Sequence, residues 1–342
     1  MPGFVPERRP RVAFAMMSDE LRSALIDTHM MRRLASCTEI LAAEVLTGFS
    51  DEWARQILAE ADVLITGWGS PRIDRTVLDL APRLRLIAHA AGTVKNHVSA
   101  ACWERGITVT TAAGANAVPV AEYALAFILL AGKRTFAEIR SFRHGQTAYR
   151  ADNLNPHTGN NGISVGIIGA SRVGRVLLEM LRPFHMRLLL ADPTITKAEA
   201  ESLGAVLVSL EELMARSQVV SLHAPALPST AGMIGAPQLL ALRDGATFIN
   251  TSRGMLVDHD ALRRELYSGR INAILDLTEP EPLPDGDLLY SLPNVILTPH
   301  IAGSMGNELT QLGSCAVTEV ERFAAGLPPT EAVGADELAA RA

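Results

Sequence analysis

Three kinds of chemically capable side chain follow short β-rich runs in the C-terminal half of the chain. Arg253 comes after ATFINTS, Glu279 and Glu281 lie in the EPEP stretch after INAILDL, and His300 comes after NVILTP. The planar fork of an arginine matches a carboxylate more selectively than a lysine does. An imidazole gives and takes a proton near neutral pH, and a neighbouring carboxylate favours its charged form and fixes its tautomer. Together these groups suit the polarisation and protonation of a carbonyl beside a carboxylate, chemistry that also needs a hydride donor over the carbonyl carbon. Spacing leaves both glutamates open as the partner of His300. Taken singly, each feature is ordinary: arginines after strands form ion pairs, a TPH turn caps a loop, and glutamates spaced by prolines face water.

A place for the hydride donor lies upstream. VGIIGASRVG (Val165–Gly174) reads as a dinucleotide loop with a serine at the middle glycine position. Gly169 supplies the tight strand-to-helix bend, Gly174 the close packing of helix on strand, and Ser171 the position where backbone approaches the pyrophosphate. ISVGIIG reads as the strand before it and Val173–Leu181 as the helix after it, so Arg172 and Val173 lie at a helix start that favours anions. With a negative φ, the Ser171 hydroxyl can hydrogen-bond a phosphate oxygen. Asp192, at the end of RLLLADP, lies eighteen residues past Gly174, where an acidic side chain accepts hydrogen bonds from an adenosine ribose. No arginine follows it directly, so a 2′-phosphate meets repulsion and NAD is expected rather than NADP. Alone, these features also fit a plain strand-to-helix turn or an S-adenosylmethionine site.

The elements that must hold these residues fall into two α/β series. The first runs through RVAFAMM, a helix over Asp19–Leu34, ADVLITG, Asp74–Leu80, LRLIAHA, Val98–Arg105 and ITVTT, the alternation of parallel βα units in an open sheet. Asn116–Arg134 has apolar residues at helical spacing and a proline in its expected first turn, which predicts a long connecting helix. His144–Gly162, rich in Asn, Gly and His, is expected as a surface loop. The second series, from ISVGIIG to NVILTPH, predicts a doubly wound sheet with Arg253, the glutamates and His300 after its strands, where such sheets form their crevice. A helix over about Ser304–Ala325 and a loose tail, GLPPTEAVGADELAARA, follow.

At 342 residues the chain is long for one core, and 48% hydrophobic with 20% charged residues is the composition of an ordinary globular protein. The net charge of −6 offers no basic stripe, so no nucleic-acid partner is expected. Cys37, Cys102 and Cys315 are far apart and predict neither a disulfide framework nor a zinc site. The longest apolar run, around Ala124–Ala131, is too short to span a bilayer and no signal core precedes it, so a cytoplasmic protein with no membrane partner is expected.

FINTSRGMLVD (Phe248–Asp258), ILDLTEPEPLP (Ile274–Pro284) and NVILTPHIAGS (Asn294–Ser304), in this order after the glycine loop, resemble the D-isomer-specific 2-hydroxyacid dehydrogenases. SLHAPALPSTAGMIG (Ser221–Gly235) and GANAVPVAEYALA (Gly114–Ala126) resemble the same family, so the likeness covers about residues 60–325. It implies two Rossmann-like or flavodoxin-like α/β domains with doubly wound parallel sheets. Residues 1–117 and a C-terminal segment, 305–342, form a discontinuous substrate domain, and 118–304 form the NAD-binding domain.

The resemblance implies that Arg253 binds and polarises the substrate. His300 is then general acid in reduction and base in oxidation, with Glu281 rather than Glu279 as its carboxylate. Asp276 falls near the nicotinamide end of the cofactor and Thr230 in the loop after VVSLHAP, with His223, Pro225 and Thr251 in the same pocket. The implied ligand is a small D-2-hydroxy acid or 2-oxo acid of the hydroxypyruvate or glyoxylate kind, and the implied assembly is a homodimer. Ala91, Gly92 and Thr93, in HAAGTVKNHV (His89–Val98), are expected to bind the substrate. That run departs from the family's G-x-G-x-D-N-I-D pattern, because its acidic positions hold uncharged or basic residues. Lys95 is one of them, open either to a second anionic group or to solvent. His29, His89, His97, His185 and His259 lack metal spacing, and no metal is expected. A second function stays open, a nucleotide-sensing binding protein of the same fold, which turnover distinguishes.

Overall fold

The computed structural model describes residues 8–143, 145 and 158–335. Two compact units divide the chain: Met1–Ala117 with Ser304–Ala342, and Val118–Gly303. Most of the stretch expected as a histidine-bearing surface loop lies outside the described residues.

The first unit holds β1 (Arg11–Ala15), β2 (Glu39–Leu46), β3 (Val63–Thr66), β4 (Leu86–His89) and β5 (Thr108–Thr111). They form a parallel sheet in the order β2-β1-β3-β4-β5. VLIT and LIAH are buried throughout, the near-continuous run of a strand covered on both faces. Register aligns Ala15 with Thr66, Thr66 with His89 and His89 with Thr111, so the loops after these strands leave from one edge.

Two parts of this unit differ from expectation. The helix expected over Asp19–Leu34 is two helices, Asp19–Leu25 and Thr28–Cys37, because Ile26 is extended and the Asp27 side chain caps the second by accepting from the Met30 amide. Neither β2 nor the helix Glu52–Glu60 stood out: EILAAEVL is rich in Ala and Glu, residues depleted in strands, and pairs at the sheet edge.

The C-terminal helix Leu309–Ala324 packs Leu312, Ala316, Val317 and Val320 into the core with Val12 and Phe14. A side chain at Gly313 would stand 1.7 Å from the Leu25 carbonyl oxygen, so glycine permits that approach. The segment beyond it is not loose over its described length. Ala332 bridges Thr110 antiparallel, the Val333 amide donates to Val109, and the Trp103 indole donates to the Val333 carbonyl at 2.8 Å. Glu319, 2% exposed, accepts from the amides of Thr330 and Glu331 and from the Thr330 hydroxyl. An open strand edge and a buried carboxylate both needed partners, and this segment supplies them.

The second unit holds β6 (Ser164–Ile168), β7 (Arg187–Ala191), β8 (Val206–Leu207), β9 (Val219–Leu222), β10 (Thr247–Asn250), β11 (Asn272–Leu275) and β12 (Val295–Leu297). All pairs are parallel, in the order β12-β11-β10-β9-β6-β7-β8. Strand order reverses between β6 and β9, and there the loops diverge to leave a crevice. The helix Arg172–Leu181 follows β6 and buries Leu177, Leu178 and Leu181.

The connecting helix spans Ala113–Gly132, earlier than expected, so Pro119 lies inside it rather than in its first turn. Its 20 residues and mean hydropathy of 1.5 make it long and apolar enough to cross a membrane, contrary to the expectation from Ala124–Ala131 alone. Ala121, Ala124 and Ile128 are fully buried against β6 and its neighbours.

Replacing Glu319 with Ala leaves three donors without their acceptor, and we expect a loss of about 2 kcal/mol, the range for unsatisfied buried polar groups. Urea unfolding of variant and wild type measures it; equal midpoints would show that the segment adds nothing to stability.

Candidate active site

In the loop after β6, Gly169 has φ +96°, and a Cβ there would stand 2.7 Å from the His223 carbonyl oxygen and the Ala224 amide nitrogen. A Cβ on Gly174 would stand 2.1 Å from the Gly169 carbonyl oxygen. These two positions need glycine. Ser171 does not, since its φ of −63° suits any L-residue. Its hydroxyl accepts from the Gly174 amide at 3.3 Å and caps the helix that starts at Arg172 and Val173.

Asp192, directly after β7, ties the loop down. Its Oδ2 accepts from the Ala170 amide at 2.7 Å, and its Oδ1 accepts from the Thr194 amide at 2.8 Å and hydroxyl at 2.6 Å. Burial raises its pKa, but the Thr194 and Ala170 hydrogen bonds and the Arg175 charge outweigh that and hold it below the ordinary range. A carboxylate offers about four lone-pair positions, so room for one further donor remains.

After β9, His223 is buried and shares a 2.8 Å hydrogen bond between its Nε2 and the Ser221 hydroxyl. Burial pushes its pKa down to about 3, so the ring is neutral. Thr230 donates its hydroxyl to the Pro225 carbonyl at 2.6 Å and accepts from the Leu227 amide at 2.9 Å, which folds that loop on itself. Thr251, after β10, has a buried hydroxyl with no hydrogen-bond partner among the described residues.

Arg253 is half-buried, and the one hydrogen bond of its guanidinium among the described residues is from Nη1 to the Ser252 carbonyl, at 2.6 Å. Burial lowers its pKa and the Glu281 charge opposes the shift. Gly254 lets this turn approach the end of β11, where a Cβ would stand 2.1 Å from the Thr278 carbonyl oxygen. His300 shares a 2.7 Å hydrogen bond between Nδ1 and Glu281 Oε1, so of the two glutamates Glu281 is the one bonded to the ring. Nε2 is then the nitrogen left to face a ligand.

His300 also has φ +56°, and its amide donates to the carbonyls of Asp276 and Thr298. Asp276, 3% exposed, accepts from the amides of Ile301 and Ala302 at 2.8 and 3.0 Å and from the Thr298 hydroxyl at 2.6 Å. Tyr123 joins the same chain through a 2.6 Å hydrogen bond to Thr298. Sequence reasoning passed over Tyr123 and Thr298. Both lie in quoted motifs, AEYALA and LTPH, but nothing local marks their hydroxyls as partners.

The predicted substrate loop belongs to the first unit. Ala91 is buried, Gly92, Thr93 and Lys95 are half-buried, and the amides of Gly92 and Thr93 have no acceptor among the described residues. Beneath it, His89 is fully buried, pairs its Nδ1 with the Thr66 hydroxyl at 2.8 Å and stacks on His97 with centroids 4.9 Å apart. Burial, with the His97 charge, lowers its pKa to about 3.

Fold and loop chemistry together define an α/β protein with a dinucleotide-binding unit and a smaller parallel-sheet unit. Residues 125–302 match the model of the D-isomer specific 2-hydroxyacid dehydrogenase NAD binding domain. The chain is 32% identical over 298 residues to a D-3-phosphoglycerate dehydrogenase of Archaeoglobus fulgidus, covering 86% of this chain and 55% of that protein. It is 33% identical to a glyoxylate reductase of Korarchaeum cryptofilum, over 79% of this chain and 82% of that protein. A phosphoglycerate oxidoreductase structure from Rhizobium etli superposes with a TM-score of 0.80 at 26% identity, covering 95% of this chain and 98% of that one. The chain belongs to the D-isomer specific 2-hydroxyacid dehydrogenase family, with NAD as the cofactor of that domain. It spans little more than half the length of the phosphoglycerate dehydrogenases it matches, 55% and 54% for two of them.

Two measurements follow from this geometry. Ser171→Gly keeps the backbone and loses only the cap, so NADH affinity should change by less than about tenfold, or roughly 1.4 kcal/mol. Isothermal titration checks it, and complete loss of binding would mean the hydroxyl is indispensable.

The second concerns acid. His89 resists protonation when folded but titrates from 6.5 when unfolded, so its stabilisation is complete above that value and drains as pH falls towards about 3. Trp53, Trp68 and Trp103 all belong to the same unit as His89, so urea unfolding followed by tryptophan fluorescence isolates it. Its stability should drop by about 2 kcal/mol between pH 7 and pH 5. A flat profile over that range would refute the assignment.

Proposed function

We propose that this protein is an NAD-dependent oxidoreductase that interconverts a small D-2-hydroxy acid and its 2-oxo acid. The observation that carries the proposal is the 2.7 Å contact of His300 Nδ1 with Glu281, beside an arginine whose donors are largely unspent, after the strands of the NAD-binding unit. Glu281 fixes the ring's orientation and tautomer, and leaves Nε2 to hand a proton to the carbonyl oxygen and to take it back in oxidation. Arg253 supplies the cation and planar donor fork that a 2-oxo acid requires, its partial burial strengthening the attraction.

The chain's own groups fit NAD. Gly169, Gly174 and the capped start at Arg172 and Val173 suit the pyrophosphate, and Asp192 keeps one acceptor position for ribose. Thr251 keeps an unused buried hydroxyl, and Asp276 would fall near the nicotinamide end, as the family resemblance implies. Bound NADH would supply the hydride. With a carboxylate at the ribose position, NADH should be preferred to NADPH.

We place the substrate among short 2-oxo acids such as glyoxylate, for which one relative is named, or hydroxypyruvate, with Ala91, Gly92 and Thr93 offering main-chain donors to it. A homodimer paired through the NAD-binding unit is part of the same proposal. The helix Thr135–Arg143 buries none of its residues, and Phe142 on it is 72% exposed, which supports a partner there.

NADH and NADPH oxidation against a panel of 2-oxo acids tests the function, with His300→Ala alongside. Turnover with NADH should fall by about a thousandfold in the variant, within the range for losing a general acid. Tight NADH binding without any turnover would favour a nucleotide sensor instead.

A further inference from the structure

The hydroxyl chain behind His300 has a direction. Thr298 owns one hydroxyl proton and donates it to Asp276 Oδ1, so in the 2.6 Å contact with Thr298 the donor is Tyr123. Burial and the Asp276 charge raise the phenol's pKa against the Thr298 hydrogen bond, so the donor keeps its proton at neutral pH. The Tyr123 ring is fixed in turn by Phe127, at a centroid distance of 4.8 Å, and Phe127 by Phe136 at 5.8 Å. At the far end, Asp276 grips the amides of Ile301 and Ala302, and its own carbonyl accepts from the His300 amide. Between these grips His300 takes the left-handed backbone, which among the described non-glycine residues only Arg134 shares. An L-residue holds that conformation only where its surroundings impose it.

We propose that Tyr123 is a positioning residue for His300. Its hydroxyl, acting through Thr298, aligns the Asp276 carboxylate that clamps Ile301 and Ala302 and so holds His300 where Nδ1 meets Glu281. The inference rests on the acid–base role given to His300 above. Chains of hydrogen bonds polarise one another in a low-dielectric interior, so removing the first donor weakens the bonds further along. A tyrosine that only packs would pass the same contacts without this coupling, since phenylalanine fills nearly the same space.

The test compares Tyr123→Phe, Thr298→Val and the double variant in the full-length protein. Tyr123→Phe should lower kcat by about tenfold with KM for NADH changed less than about twofold, smaller than the hundredfold that a 1 Å misplacement costs. In the Thr298→Val background the same substitution should have no further effect, because the route to Asp276 is already cut. Amide hydrogen exchange at Ile301 and Ala302 should quicken in both single variants. Additive losses of kcat, an unchanged kcat in Tyr123→Phe, or unchanged exchange at those amides would each overturn the proposal. If the wild type turns over no 2-oxo acid, the oxidoreductase assignment fails, and the exchange measurement alone decides whether the relay exists.

Discussion

Burying the charge of Asp276 is the constraint around which the second unit's reactive edge is arranged. A carboxylate taken out of water is costly unless donors surround it. Here the donors are the Thr298 hydroxyl and two successive amides, Ile301 and Ala302, so the chain leaving β12 must wrap back over the end of β11. That path forces His300 into a backbone conformation it would not choose and turns its ring towards Glu281. The cost of the strained residue is offset by the satisfied carboxylate beneath it. A histidine on a relaxed loop would offer the same chemistry without a fixed direction.

The glycine loop obeys a different rule, one of space. Gly169 and Gly174 stand where any Cβ would collide with main chain, whereas the middle position has an ordinary negative φ and room for a hydroxymethyl group. Serine there trades the freedom of glycine for a helix cap. The motif's three glycines are thus not equivalent: two are imposed by packing within the protein, and the third only by how closely a ligand must approach.

Much of this is legible in the sequence. The two α/β series, the glycine loop and the order Arg253, Glu281, His300 follow from periodicity, turn residues and motif resemblance. What escaped prediction lies where long-range partners overrule local signals. β2 has the composition of a helix, and parallel pairing with β1 makes it a strand. The Gly326–Ala342 tail is rich in Pro, Gly and small residues and reads as loose, yet β5 and Glu319 anchor its first part. Tyr123 and Thr298 are 175 residues apart, a separation across which no spacing argument can see a hydrogen bond. Thr230 occupies its predicted loop, but its hydroxyl is spent on that loop's own shape.

The division of the chain also bears on how it is made. Residues 118–303 form one uninterrupted unit, whereas the first unit takes its last core helix from beyond residue 304. On a ribosome that releases the N-terminus first, at about 5–20 residues per second, the first 117 residues emerge early but lack Leu312, Ala316, Val317 and Val320. The NAD-binding unit has its whole sequence in hand sooner than the unit that precedes it in the chain. Completion therefore runs from the middle outwards, and for the time needed to make some two hundred residues one apolar face of the N-terminal sheet, partly covered by Leu25, Ile26, Met30 and Leu34, still waits for the rest of its cover.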